Sequence, residues 1–505
     1  MRKTNIAVLL LFVLLGGCFQ IVYAQPQQPI RLELELDLTD EPYEVESLGA
    51  DGLILYRFRD ENKLASDAPY EFIRYDTALQ EVWNKTYRMG REYQLIGWDY
   101  HNDSIYFLYE QFGIKEPYQL IKLDKLTGDT TVTNIRKVLP IQLTSFESVG
   151  KAIIFAGYVN GRSTVILYNR EDGKQRVLPN FYEEQSEIME VVVDDEAEEF
   201  HVTIVNKQPR EPFTMTLRTF NADGVLTHEQ DLALPEELNI LYGRAAGETR
   251  GHSVVAGTFS DKRSDYSRGI FVADVDEFGE INYQTYAYAD LDNFFNYMKS
   301  KRRQRVKRRI ERRRIKGRKA RFSYRLLVQD IIEKDDYFVL VGEAFYPVYR
   351  YYGGSGVASR GASNSSSTYF DGYRYTHAVV MAFNAEGKVL WNNSFEIEGI
   401  QSLTLQEFVE VHVNRDRIVL LYLYDGEIRS KVIREDTMEE GKFFDPIEVK
   451  FGQEVVQRNE NDVSILERWY ADYFFAAGVQ DIRRLNTRGA DQNRRVFYVN
   501  KIVYP

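Results

Sequence analysis

Apolar and polar positions in this chain fall into short runs of the strand type, grouped in fours and separated by turn-like clusters. The most apolar runs start near Leu53, Ile105, Ala152, Phe200, Ser253, Tyr337, Ile418 and Tyr473, at spacings of 52, 47, 48, 53, 84, 81 and 55 residues. Two spacings are too long, and each contains one insertion. Removing 289–323 turns 84 into 49, and removing 346–375 turns 81 into 51. A regular period near 50 built from four strands predicts propeller blades.

Local likeness between units supports the count. YDTALQEVWNKTY (75–87) aligns without gaps on FNAEGKVLWNNSF (383–395), and Gly128, Gly173, Gly224, Gly279 and Gly387 stand where a hairpin turn wants positive φ. Second strands end in Gly157, Gly257, Gly342 and Gly478, where a missing side chain would let neighbouring strands approach closely. The last unit lacks a fourth strand. The orphan run IRLELELDL (30–38), a strict alternation, can supply it and remove the open edges of an unclosed ring. The predicted fold is all-β, an eight-bladed β-propeller over 25–505 with one basic helical insertion; seven blades plus a small extra sheet is the alternative.

Composition adds a compartment and a charge asymmetry. Arg2 and Lys3, the apolar run Ile6 to Leu15 and Val22-Tyr23-Ala24 read as a signal peptide over 1–24. Leu15-Gly16-Gly17-Cys18 also matches a lipoprotein box, which would place a lipid on Cys18, the sole cysteine. Either reading exports the chain to the periplasm or outer membrane, and the first leaves no thiol chemistry. No other segment is long and apolar enough to span a bilayer. The formal charge is −12, but between Lys299 and Arg321 fifteen Lys/Arg face one acid, Glu311, leaving 49 basic and 75 acidic residues elsewhere.

The turn-plus-Trp phrases LDKLTGD and NAEGKVLW resemble the repeats of pyrroloquinoline-quinone-type propellers, a group that includes quinoprotein dehydrogenases and periplasmic assembly scaffolds without quinone. The chain departs from the enzymes in lacking a Trp in every blade and in lacking vicinal cysteines. The phrase FDGYRYTHAVVMAFNAEGKVLWNNSFE also resembles exported β-propeller proteins of Bacteroidota, which implies an envelope address and no particular activity.

Motifs for chemistry are sparse. His101, His201, His228, His252, His377 and His412 fall in different units with no metal-ligand spacing. Asp194-Asp195-Glu196 and Asp335-Asp336 fit turns, and Asp274–Glu280 lacks the third ligand of a calcium loop. No GxSxG, P-loop or HExxH is present. No cofactor, metal site or catalytic residue is therefore expected, although a pair of carboxylates among 76 acids could serve a glycosidase.

The insertions carry the candidate site. Residues 292–315 are expected as a helix stopped by Gly317, with binding cations Arg302, Arg303, Arg305, Lys307, Arg308, Arg309, Arg312, Arg313 and Arg314. Like charges at i,i+4 make such a helix want an anionic surface: the acidic propeller itself, a twin subunit, or a foreign partner. The second insertion, 346–375, is expected as a Gly/Ser-rich loop carrying Tyr349, Tyr351, Tyr352, Tyr369, Tyr373 and Tyr375 for adaptable binding. A crossover between blades and a loop joining strands two and three leave a propeller on the same face, so both insertions should share one surface. The resulting expectation is a non-enzymatic binding or assembly scaffold whose partner is an envelope protein, anionic glycan or lipid headgroup. Nucleic acid fits the charge but not the export signal. The alternatives are an anionic-lipid or lipopolysaccharide binding module, and an enzyme on polysaccharide or protein. Acids or an Arg/His cluster converging in the central channel would favour the enzyme. Deleting 289–323 is expected to leave the propeller folded.

Overall fold

The computed structural model describes residues 26–504, apart from 60–64, 112–115, 183–184, 250–251, 276–279, 335–336, 353–366, 414–416, 434–441 and 485–491. The expected signal peptide, Cys18 and Gly279 therefore lie outside the described residues. Eight antiparallel sheets follow one another around a ring. Blades 1 to 7 are contiguous in sequence: 44–90, 93–135, 142–177, 186–232, 239–287, 325–396 and 410–446. Blade 8 takes three strands from 454–503 and its fourth, outermost strand from the other end of the chain, Gln27–Leu36, which pairs antiparallel with Gln492–Val503. The strand stops at Leu36, and Leu38 stands 85% exposed beyond it.

Each second strand is apolar on both faces because each face meets a different neighbour. In blade 1, Leu53 and Leu55 pack with blade 8, whereas Ile54 and Tyr56 pack with blade 2. The same division repeats around the ring, so eight apolar clusters each fill one boundary between blades. First strands of neighbouring blades touch one another from blade 2 round to blade 6 and again between blades 7 and 8. Gly157 and Gly257 sit under bulges of their first strands, where a Cβ would lie 2.0 Å from the carbonyl oxygens of Gln142 and Tyr242. Gly342 differs, having only ordinary contacts around its missing Cβ.

The closing strand is also tied electrostatically. Arg494 bonds Glu33 Oε2 and Glu454 Oε1 at 2.7 Å each and Glu35 at 3.0 Å, while Arg31 bonds Glu33 Oε1 at 2.6 Å. The alternation that sends Leu32 and Leu34 towards blade 1 puts these charges on the opposite face.

Candidate functional site

The insertion between blades 5 and 6 begins as a plug. Tyr288, Phe294 and Phe295 are at most 2% exposed and join the apolar cluster between these blades, with Met298 beside them. Two bonds fix the plug to the outer strand of blade 6: the Asn293 N–H donates to Asn392 Oδ1 and the Tyr297 N–H to Ser394 Oγ, both at 2.9 Å. The ring of Tyr297 stacks on His377 at 3.6 Å, with Phe294 and Tyr324 edge-on to the same imidazole. His377 is fully buried, and desolvation holds it neutral, with its pKa lowered to about 3. The expected helix over 292–315 is thus corrected. Phe294, Phe295 and Met298 belong to turns that dock on the blade, and the helix, α1, spans only Ser300–Ile315.

Gly317 ends α1 as expected. Its φ is +61°, and the Arg318 N–H reaches back to the Arg313 carbonyl at 2.9 Å, a Schellman closure. Val306 and Ile310 are the residues of α1 that pack against the blade cluster. Lys301, Arg302, Arg305, Lys307, Arg308, Arg309, Arg312, Arg313 and Arg314 are exposed. Arg303 is half-buried and bonds Asn296 Oδ1 at 3.2 Å; Arg309 also lies over the Phe322 ring at 5.2 Å. Among the described residues no cation of α1 makes an ion pair. The first cation beyond it that does is Arg321, bonded to Asp261 at 3.3 Å. The helix therefore does not neutralise itself on its own acidic propeller. At its foot a cavity of about 270 Å³ opens between Lys299, Arg303, Glu396 and Lys431.

The second insertion is also corrected. Over its described residues it is a two-stranded arm, not a loop: Tyr337–Tyr352 and Ser367–Phe383 run on past the blade as a continuous hairpin. Arg350 and Asp371 pair across it at 2.8 Å, and Gln401–Ser402 adds a short third strand. Tyr349 is 54% exposed and Tyr369 43%; Phe370 links Tyr349 to Tyr373 by edge contacts. Tyr375 is buried in the blade instead of exposed on the arm. It is 2% exposed, and its hydroxyl donates to the Gln406 carbonyl and accepts from the Gln406 N–H. Tyr351 and Tyr352 end the first arm strand, with side chains outside the described residues. His377 lies where the arm leaves the blade, so plug and arm meet at that residue.

A second cluster was not visible in the sequence. First strands of four different blades carry Glu46, Asp99, Glu147 and Glu467 within two residues of their ends, and Glu410 sits on the first strand of blade 7. Burial, reinforced by neighbouring acids, pushes Glu46 and Glu410 up to about 8 and Glu147 to about 7; burial alone lifts Glu467 to about 7. Further round, Arg244 bridges Glu190, Asp330 and Glu407 from three other elements. These residues lie about one blade period apart, so no local motif could reveal them. Among the described residues no group of three or more His, Cys, Asp or Glu could hold a metal ion. No helix there is long and apolar enough to cross a membrane.

The fold and these surfaces define an eight-bladed propeller with a decorated sixth blade. No protein-family model matches the chain, and no curated protein matches it. Among solved structures it is similar to the quinohemoprotein alcohol dehydrogenases ADHIIG of Pseudomonas putida HK5 and of Comamonas testosteroni. Each is 11% identical over 94% of this chain and 76% of that one, with a TM-score of 0.45. A europium-containing methanol dehydrogenase is 10% identical over 91% and 85%, with a TM-score of 0.42. These likenesses transfer no chemistry to this chain.

Proposed function

We propose that the protein is a binding propeller of the cell envelope, recognising an anionic partner on the face that carries α1 and the arm. One observation carries this reading: α1 exposes a dense set of cations without an ion pair among the described residues. Such a helix repels itself at i,i+4 and is stabilised by an external anionic surface. The test is binding of the full chain to phosphatidylglycerol vesicles and to alginate at about 50 and about 300 mM salt, beside the variant K301Q/R305Q/R308Q/R312Q. Affinity should fall with salt and be lost in the variant. Absence of binding to both ligands, or equal binding by the variant, overturns the reading.

A second reading has its own support. Acids with raised pKa and Arg244 converge on the inner ring, the arrangement expected of an enzyme with a channel site, since a carboxyl titrating near neutrality can act as a general acid. Hydrolysis of polysaccharide or protein substrates that disappears in Glu410→Gln would favour it. Activity unchanged in that variant would count against it.

A further inference from the structure

Exposed large apolar side chains occur over much of the surface, including Val138, Tyr182, Tyr266 and Phe451 elsewhere on the insertion-bearing face, and seven more belong to the insertions and the crossover that leaves blade 6. They are Ile315 (75% exposed) at the end of α1, Tyr346, Tyr349, Tyr369 and Phe370 on the arm, and Leu403 (72%) and Leu405 in the crossover leaving blade 6. The arm and that crossover are joined, because Gln401–Ser402 pairs with the arm at Tyr373 and Arg374. On the same face, helical geometry aligns Lys301, Arg305, Arg308 and Arg312 in one stripe opposite the packed Val306 and Ile310. A stripe of eleven residues' rise is about 16 Å long. Cations beside exposed aromatic and aliphatic side chains are the pairing that an anionic lipid interface rewards. Headgroups take the charge while Tyr, Phe and Leu enter the acyl boundary.

The body of the chain is acidic: outside Lys299–Arg321 it holds 49 basic and 75 acidic residues. An anionic bilayer would attract the helix and not the body, turning the insertion-bearing face towards the surface. A soluble polyanion would use the stripe but has no use for the exposed apolar groups of the arm on the same face.

We infer that the partner of this face is an anionic lipid bilayer surface, engaged by the α1 stripe together with the arm and Leu403–Leu405. This rests on the anion-binding reading above and goes further by naming the surface and the apolar contacts. Vesicle flotation with phosphatidylglycerol and with phosphatidylcholine separates the two levels. The wild type should float with phosphatidylglycerol only. The variant Y349S/Y369S/F370S, whose side chains are exposed and whose thermal unfolding should match wild type, should bind those vesicles at least about tenfold more weakly. The stripe variant K301Q/R305Q/R308Q/R312Q should lose roughly 100-fold or more, each near-surface cation being worth about fivefold. Tight binding to alginate without flotation overturns the lipid inference and leaves the anion reading intact. Flotation unaffected by the arm variant also overturns it. Failure to bind either ligand removes both.

Discussion

Phe294→Ala tests whether the plug, rather than the helix itself, holds α1 in place. Phe294 is fully buried, with Tyr288, Tyr324 and His377 at ring distances of 4.5, 5.2 and 5.6 Å. Emptying such a site costs about 3–5 kcal/mol. The helix has no reserve against that loss. Sixteen residues are marginal alone, and the pairs Lys301–Arg305, Arg305–Arg309, Arg308–Arg312 and Arg309–Arg313 each subtract about 0.2–0.5 kcal/mol. Among the described residues, the half-buried Val306 and Ile310 are the apolar side chains of α1 that pack on the blade cluster. At about 1.4 kcal/mol per decade, amides of Ser300–Ile315 should exchange roughly 10²–10³ times faster in the variant. Strands of blades 2 and 3 should keep their protection. Hydrogen exchange read by mass spectrometry measures both. Unchanged protection of α1, or equal loss throughout the ring, would refute the claim that the plug anchors it. The same packing bears on deleting 289–323, after which the propeller is still expected to fold but with lower stability. The deletion removes Phe294, Phe295 and Met298 from the core between blades 5 and 6, so it should lower the melting temperature.

Other consequences can be checked as simply. Arg494→Met leaves the fully buried Glu454 without an ion pair among the described residues and Glu33 with Arg31 alone; the unfolding free energy should fall by about 3 kcal/mol in denaturant titration, and an unchanged midpoint would contradict the closure argument. Glu410 carries a folded-state pKa of about 8, above its unfolded value, so it holds more protons folded than unfolded and its contribution to stability is lost as pH rises towards 8. Glu410→Gln should therefore flatten the fall in melting temperature between about pH 5 and 8, and an unaltered pH profile would count against it. Gly257→Ala places a Cβ 2.0 Å from the Tyr242 carbonyl oxygen and should lower the melting temperature, whereas Gly342→Ala, with nothing nearer than 3.6 Å, should not.

The blade pattern was legible because every blade repeats one physical problem: a second strand buried on both faces, a turn needing positive φ, and a period near 50. Gly128, Gly173, Gly224 and Gly387 all take φ between +69° and +78°. The orphan N-terminal strand was legible for the same reason, since a ring with one strand missing has an edge to fill. The start of α1 was not, because Phe294 answers to Tyr288 and His377, and Phe295 to Phe294 and Phe322, rather than to helical periodicity. The arm was misread through its glycines and serines, although the Tyr and Arg residues flanking them continue the strands of blade 6. The inner acids and Arg244 stood outside any reading by spacing. Each acquires its neighbours only when distant blades meet at the ring centre.

The most direct test of the central claim is the salt-dependent binding of K301Q/R305Q/R308Q/R312Q to phosphatidylglycerol vesicles, compared with wild type at matched melting temperature. The account predicts wild-type binding that weakens as salt rises and variant binding that is lost at every salt. Equal binding by the two proteins, with the same salt dependence, would contradict it.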